Sequence, residues 1–337
     1  MTKIAILGGT GYTACELIKI LLRHPHAEIV AVSSRDEKMP TLAESHPSLA
    51  GRIDLRMEPF DADQLTSRGV ECVFSCLPHG ASMNAVAPLL SLGLRVVDLS
   101  ADYRLRDAKV YAQWYGESHH DLPNLAKAVY GLPEIYGDRI NGAQLIANPG
   151  CYPQTGILGL APLVARKHID LKDIIIDSKS GVSGAGRTPK LTTHFPECNE
   201  SVSAYSVGKH RHTPEIEQAL SDVAGEPVDV IFTPHLIPMD RGIFTTIYAT
   251  PRRTFSEVEL LDLYRSYYAN APFVRVTTQL PATKDSAHTN FIDMTLRIVR
   301  GRIVVLVAED NLVRGASGVA VQNFNRMYGY DERTSLS

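Results

Sequence analysis

The chain has little of what marks a specialised class of protein. Cysteine is scarce: only Cys15, Cys72, Cys76, Cys151 and Cys198 occur. An odd number at irregular spacing does not make a disulfide framework. Cys72 and Cys76 form a single C-x3-C inside ECVFSCL, without a second pair or a histidine cluster nearby. Tetrahedral zinc needs four converging ligands, so no metal is expected and the two read as small buried apolar residues. Charge of one sign is lacking as well. With 34 basic and 37 acidic residues the net charge is −3, which points to neither nucleic acid nor a membrane surface as partner. No apolar run approaches the ~20 residues that cross a bilayer. The start, MTKIAILGG, enters a strand at once and has no room for the charged region and apolar core of a secretion signal, so the expected location is cytoplasmic. No tract is compositionally biased, and 44% hydrophobic with 21% charged residues is an ordinary globular composition. At 337 residues the chain exceeds the roughly 250–300 that one core organises, so two domains are expected.

What is present begins with a nucleotide signature. KIAIL, residues 3–7, is a short apolar run leading into GGTGYTACEL, whose later part has helical spacing. Strand, glycine turn and helix are the context in which G-x-G-x-x-G/A marks a dinucleotide site. Here the turn reads Gly9-Thr10-Gly11-Tyr12-Thr13-Ala14, preceded by Gly8. Glycines let the backbone approach a pyrophosphate, and the helix start offers N–H donors with a favourable dipole. Gly8, Thr10, Gly11, Tyr12 and Thr13 are therefore candidates for holding it; the bland alternative is a tight strand-to-helix turn. The next strand, EIVAVSS, ends in Ser33, Ser34 and Arg35, where a ribose-binding carboxylate would stand in an NAD site. Hydroxyls plus a guanidinium suit a 2′-phosphate, which favours NADP; Asp36, one residue on, is the competing ribose ligand. ECVFSCL, RVVDLS and AQLIAN continue the strands, with the helical ASMNAVAPLLSLG between the first two. This alternation indicates a doubly wound parallel sheet. Pro78-His79-Gly80, taken to follow the fourth strand, belongs at the carboxyl edge where such sheets bind ligands.

The second half carries the reactive groups. In IANPGCYPQT, Cys151 follows a strand end and stands beside a helix expected from Pro153 to about Lys167. A thiol at a helix N-terminus has its thiolate stabilised, and thiolate plus hydride donor is the equipment for thioester–aldehyde interconversion. The alternative is a buried turn cysteine. A partner base is sought among the histidines, and His210 and His212 stand out in GKHRHTPEI, flanked by Lys209 and Arg211, a cluster suited to an anionic substrate. Thr213 as N-cap with Pro214 first in the helix would put His212 at the helix entrance, facing the positive dipole end. His210 would lie in an extended approach and is the expected proton donor, with His212 positioning the substrate. SGVSGAGR, Ser180 to Arg187, is a glycine-rich turn ending in arginine, able to offer N–H groups and a cation to phosphate or carboxylate. Tyr205 to Lys209 also matches the Y-x-x-x-K of short-chain dehydrogenases, but Gly208 makes the required helical turn poor.

With these residues assembled, the sequence resembles the N-acetyl-gamma-glutamyl-phosphate reductase family. The likeness runs along the chain: GGTGYTACEL, DLSADYRL (98–105), YGLPE (130–134), ANPGCYP (147–153), SGVSGAGR, HRHTPEI (210–216), FTPHLIPMDRGI (232–243) and EDNLVRGASGVAVQ (309–322). The resemblance implies an NADPH-dependent reductase of arginine biosynthesis acting on an acyl phosphate. Cys151 would be its nucleophile and a histidine of HRH its acid/base. Ser183, Gly184, Pro78 and Asn311 would join the cofactor site, with Asn311 near the nicotinamide. Arg104, placed after a fifth strand, would contact the substrate phosphate, and Asn148, Arg187 and Arg211 complete the substrate candidates. It further implies a Rossmann-type NADP-binding domain over 1–148 and 315–337, to which a C-terminal helix near 315–328 returns. An α+β catalytic and dimerisation domain with a mixed sheet would cover 149–314, in a homodimer or homotetramer. Two departures from the family pattern stand out: Ala14 replaces the common glycine, which the turn tolerates, and Gln154 replaces the usual threonine, leaving Thr155 as a partial substitute. Two rival readings stand beside it. One is the equivalent reductase of lysine biosynthesis, on a substrate one carbon longer. The other is a redox-sensing NADP-binding protein, which would need a resolving cysteine.

Overall fold

A computed structural model describes residues 1–337. The chain separates into two compact units: Met1–Pro149 with Ala316–Ser337, and Gly150–Gly315.

The first unit is built on six strands: β1 Thr2–Leu7, β2 Ala27–Ser33, β3 Cys72–Ser75, β4 Arg95–Asp98, β5 Val129–Tyr130 and β6 Leu145–Ala147. They lie in the order β2-β1-β3-β4-β6-β5, all parallel. The central strand β1 reads TKIAIL and is buried on both faces, with Ile4 and Ile6 fully enclosed. Its continuous apolar run is what a strand covered by helices on both sides requires. The chain leaves β1 for one edge (β2) and then returns past it to β3, so the strand order reverses between β1 and β3. At that switch point the carboxyl ends diverge and leave a crevice. Pro78 follows the third strand and Arg104 the fourth, each one earlier than expected. Between β2 and β3 the extended piece 56–58 makes only isolated bridges, Ser33 to Glu58 and Thr41 to Arg56. The two-residue β5 is too short to leave a periodic signal.

The C-terminal helix Gly318–Tyr328 packs within this unit. Asn323 donates to the Gly131 carbonyl and to Asn148 Oδ1, and Asn325 Oδ1 meets His24 Nε2 at 2.7 Å. The helix begins three residues later than the expected 315. Val313–Ser317 is wound as a π turn, with Gly315 N–H bonded to the Asp310 carbonyl.

The second unit carries seven strands: β7 Ile169–Ser180, β8 Ser203–Ala204, β9 Ile231–Leu236, β10 Ile243–Pro251, β11 Val274–Val276, β12 Ile292–Val299 and β13 Arg302–Glu309. The order is β11-β12-β13-β10-β7-β9-β8, a mixed sheet with β7/β9 and β11/β12 parallel. Alternating burial along β7 and β10 shows a sheet with one covered face. Helix Cys151–Ala165 lies on β7, β10 and β13. Its second turn onward is almost wholly enclosed. A Cβ at Gly159 would come within 2.7 Å of the Ile247 Cδ1, so glycine is what permits this close approach of helix to sheet. Helix Thr213–Ala224 packs beside it. No helix in either unit is long and apolar enough to cross a membrane.

Candidate active site

The helix that carries Cys151 starts two residues earlier than the proline suggests. Gly150 is its N-cap, extended at φ −71° and ψ 159°, and Cys151 is itself the first helical residue. Its neighbours are set by two glycines and one carboxylate. Gly150 N–H donates to Glu215 Oε1 at 2.8 Å; Glu215 is buried in the first turn of helix Thr213–Ala224, where the dipole favours an anion. On another side, a Cβ at Gly315 would stand 2.8 Å from the Cys151 Cβ and 3.2 Å from Glu309 Oε1. Only glycine fits between the Cys151 Cβ and that buried carboxylate.

Tyr152, next to the cysteine, packs against both histidines. Its ring meets His210 at 5.5 Å, His212 at 5.9 Å and Phe232 at 5.4 Å, each edge to face. The two histidine rings are 4.8 Å apart. Their approach is a turn rather than an extended strand: Thr213 N–H bonds to the His210 carbonyl, and His212 has helical angles. His212, not Thr213, is the N-cap, because Thr213 is already the first helical residue and Pro214 the second. His212 N–H donates to His210 Nδ1 at 3.1 Å. That bond needs an unprotonated Nδ1, so the neutral ring carries its proton on Nε2. Burial, then the neighbouring His212, and against a partly compensating Glu215, pull the His210 pKa down to about 3. At neutral pH His210 is an uncharged imidazole presenting an Nε2–H donor.

The remaining expected groups of this unit fall around the end of β7. Ser183 is buried and Gly184 exposed in the 3₁₀ turn Val182–Ala185. Asn311 is a brace: Oδ1 accepts from Gly242 N–H at 2.7 Å and Nδ2 donates to the Ser183 hydroxyl at 3.0 Å. Arg187 and Arg211 are exposed. Tyr205 and Lys209 lie on a turn, not a helix, so the Y-x-x-x-K geometry is absent. Glu215, Tyr152 and Gly315 escaped the sequence reading. Only Glu215 left a trace, as the acidic residue in the first turn of HTPEI.

The first unit holds the glycine turn. Gly8 has φ +80°, and a Cβ there would lie 2.9 Å from the Cys76 carbonyl oxygen across the β1/β3 switch point. Gly9 would press its Cβ to within 2.3 Å of Val32 Cγ1, whereas Gly11 has nothing within 4 Å. The ten-residue helix Tyr12–Leu21 opens at Gly11, so its first N–H groups sit behind an open approach. This fits a dinucleotide pyrophosphate. His46 Nε2, unforeseen, meets the Gly9 carbonyl at 2.8 Å beneath the loop, and Ser317 donates to the Thr13 carbonyl. Thr10 and Thr13 are half-buried and Tyr12 is exposed at the turn. Ser33 and Ser34 are buried and Arg35 is exposed at the end of β2. Asp36, the competing ribose ligand, accepts from Lys38 N–H within its own turn. Pro78 is exposed beyond β3. Arg104 is buried, with Nε on the Asn148 carbonyl at 2.7 Å and Nη2 on the Leu99 carbonyl at 2.9 Å. The Asn148 side chain donates to the Ala316 carbonyl and accepts from Asn323. No group of three or more His, Cys, Asp or Glu is arranged to hold a metal ion.

Gly8→Ala is expected to cost about 1–3 kcal/mol of stability, from the left-handed backbone and the clash with the Cys76 carbonyl. Thermal melting with and without a nicotinamide dinucleotide should show a lower midpoint and a smaller ligand-induced rise. An unchanged pair of midpoints would contradict the tight turn.

A parallel nucleotide-type sheet followed by a mixed sheet with a helix-start cysteine defines a semialdehyde dehydrogenase-type protein. Residues 3–143 match the semialdehyde dehydrogenase NAD binding domain, and residues 151–311 the semialdehyde dehydrogenase dimerisation domain. Among solved structures, aspartate semialdehyde dehydrogenase II from Vibrio cholerae superposes with a TM-score of 0.73 at 15% identity, covering 97% of this chain and 98% of that one. The Candida albicans aspartate semialdehyde dehydrogenase with NADP gives 0.72 at 15% identity and the same coverage. These likenesses establish the fold. Over 339 residues the chain is 48% identical to the N-acetyl-gamma-glutamyl-phosphate reductase of Rhodopirellula baltica, covering 99% of this chain and 98% of the relative. It is 50% identical over 342 residues to that of Desulforudis audaxviator, covering 100% and 98%. The chain belongs to the N-acetyl-gamma-glutamyl-phosphate reductase family.

Proposed function

We propose that this chain is an oxidoreductase that converts N-acetyl-gamma-glutamyl phosphate to N-acetylglutamate 5-semialdehyde and phosphate, with NADPH as the cofactor, as a step in arginine biosynthesis. The observation that carries the reading is Cys151 as the first residue of a buried helix, with the rings of His210 and His212 packed on Tyr152, the next residue of that helix. The Cys151 thiolate attacks the acyl carbon, and the carbon–oxygen bond to phosphate breaks, leaving a thioester. First-turn N–H groups of helix Cys151–Ala165 face the oxyanion that forms at this carbon. A nicotinamide nucleotide, when bound, supplies the hydride that takes the acyl group to the aldehyde level. Gly8, Thr10, Gly11, Tyr12 and Thr13 would hold its pyrophosphate; Ser33, Ser34 and Arg35 the 2′-phosphate; Pro78, Ser183, Gly184 and Asn311 the rest. His210 Nε2–H stabilises the thiohemiacetal oxygen and handles its proton as the carbon–sulfur bond breaks. In the second unit Arg187 and Arg211 would contact the substrate, which His212 would position; in the first unit Arg104 and Asn148 would be the substrate residues. The first unit is the NADP-binding domain, the second the catalytic and substrate-binding one.

The reverse reaction tests this: semialdehyde, phosphate and NADP should generate NADPH only with all three present. Turnover on the semialdehyde one carbon longer at equal efficiency would move the assignment to lysine biosynthesis. Cofactor choice has its own test. Arg35→Ala should raise the KM for NADPH by about 10- to 100-fold, the worth of charge-assisted phosphate bonds, and change NADH use less than about threefold. Equal efficiency of the unmutated enzyme with both cofactors would refute it.

A further inference from the structure

We propose that Tyr205 is a positioning residue of this reaction, holding the His210 imidazole dry and in one orientation through its ring and through its hydroxyl bond to Tyr152. The inference rests on the assignment of His210 to the chemistry, and it gives a role to a tyrosine that its Y-x-x-x-K match mislabelled. Tyr205 directly follows β8, which pairs with β9, and its own N–H donates to the Pro234 carbonyl at 3.1 Å. The backbone is therefore tied to the sheet immediately before the turn that leads to His210. That turn is tight: Ser206 and Gly208 have φ of +49° and +68°, and Lys209 N–H returns to the Ser206 carbonyl.

The side chain makes two contacts that matter. The Tyr205 hydroxyl donates to the Tyr152 oxygen at 2.9 Å, and Tyr152 in turn reaches the His235 carbonyl at 3.4 Å. The Tyr205 ring meets His210 edge on at 5.5 Å. With Tyr152 at 5.5 Å, Phe232 at 5.2 Å and His212 at 4.8 Å, four rings pack around the half-buried imidazole. Burial holds the Tyr205 hydroxyl up at about 12, so it remains a donor at working pH. A catalytic tyrosine of the Y-x-x-x-K type needs the opposite, a lysine-lowered phenol.

The same ring box accounts for an imidazole kept neutral well below its ordinary range. The charged and titratable groups around His210 are Arg211 and His212, which oppose its protonation, and Glu215, which favours it; Tyr152 and Tyr205 stay neutral. Desolvation is the largest cause, and Tyr205 is one of its walls. Removing that wall admits water without altering any of those charges.

Two variants separate the parts. Tyr205→Phe keeps the ring and loses the hydroxyl bond; Tyr205→Leu loses both. The readouts are kcat and KM for the acyl-phosphate reduction and an NMR titration of histidine Cε1 signals in the full-length protein, with His210→Asn supplying the assignment. In the unmutated protein His210 should stay neutral down to about pH 5, as desolvation by the rings around it dictates. In Tyr205→Leu it should titrate between about pH 5 and 6.5, with kcat lower by ~10²-fold, the cost of a misplaced group, and KM within about threefold. Tyr205→Phe should keep the depressed titration and lose about 3- to 10-fold in kcat, the worth of one hydrogen bond. An unchanged His210 titration in Tyr205→Leu overturns the proposal, as does a kcat within threefold of the unmutated enzyme. Should Tyr205→Leu not fold, Tyr205→Phe decides by the same kcat and KM split, and full activity there overturns it. The titration needs no substrate, so it stands even if a different acyl phosphate proves to be reduced.

Discussion

Cys151→Ser should abolish turnover, lowering kcat by at least about 10⁴-fold, while the protein still folds and binds NADP. A serine hydroxyl is far from ionised near neutral pH, and neither His210 nor Glu215 is a strong enough base to change that. His210 is a neutral ring with its pKa near 3, and Glu215 is engaged by Gly150 N–H. The sulfur is also the better leaving group when the tetrahedral adduct collapses to aldehyde. The substitution itself is nearly isosteric and leaves the Cβ that lies against Gly315 in place. Two measurements check it: steady-state rates, and mass spectrometry of the enzyme mixed with acyl phosphate in the absence of NADPH. The unmutated chain should gain the acyl mass on Cys151, and the variant should not. Retained turnover in Cys151→Ser would remove the thioester route altogether.

His210→Asn should lower kcat by ~10²–10⁴-fold, the usual worth of a positioned proton-transfer group. His212→Asn should instead raise the KM for substrate and leave kcat within a few fold. The bond that sets the His210 tautomer comes from the His212 main chain, and asparagine keeps that N–H. The reverse pattern would transfer the role to His212, and two mild variants would exclude both. The same residue makes a stability prediction. Its folded-state pKa, about 3, lies below the ordinary 6.5, so below pH 6.5 the unfolded chain binds a proton that the folded chain refuses. Stability should therefore fall as pH drops from about 6.5 toward 3, and His210→Asn should flatten that fall. Urea midpoints measured at pH 7 and pH 4.5 for both proteins read this directly. An equal loss in both would show that His210 is not the group refusing the proton.

Much of the molecule is governed by residues close in the chain, and those parts were legible. KIAIL followed by GGTGYT forces strand, turn and helix within a dozen residues, because Gly8 must take φ +80° and only glycine does so freely. Asn148-Pro149-Gly150 likewise ends β6 and places Cys151 at a helix start, although the helix opens at the cysteine rather than at Pro153. The capping error at HRHTP has the same scale: Thr is the better N-cap by propensity, yet the His210 turn pulls Thr213 into the helix and leaves His212 outside it.

What the sequence by itself determined, then, was the fold class, the glycine turn and the place of Cys151 at a helix start, each encoded by local backbone preference. The surroundings of that cysteine were decided only by tertiary structure. Glu215 comes to Gly150 because helix Thr213–Ala224 packs against helix Cys151–Ala165, and Gly315 comes to Cys151 through the π turn after β13. Tyr205 comes to His210 and Tyr152 because the two-residue β8 pairs with β9 at the edge of a seven-stranded sheet. These partners lie between 5 and 164 residues apart in sequence, and nothing in periodicity or spacing encodes such meetings. They are settled by strand order and by which faces must be buried together, and that free energy belongs to the folded chain as a whole.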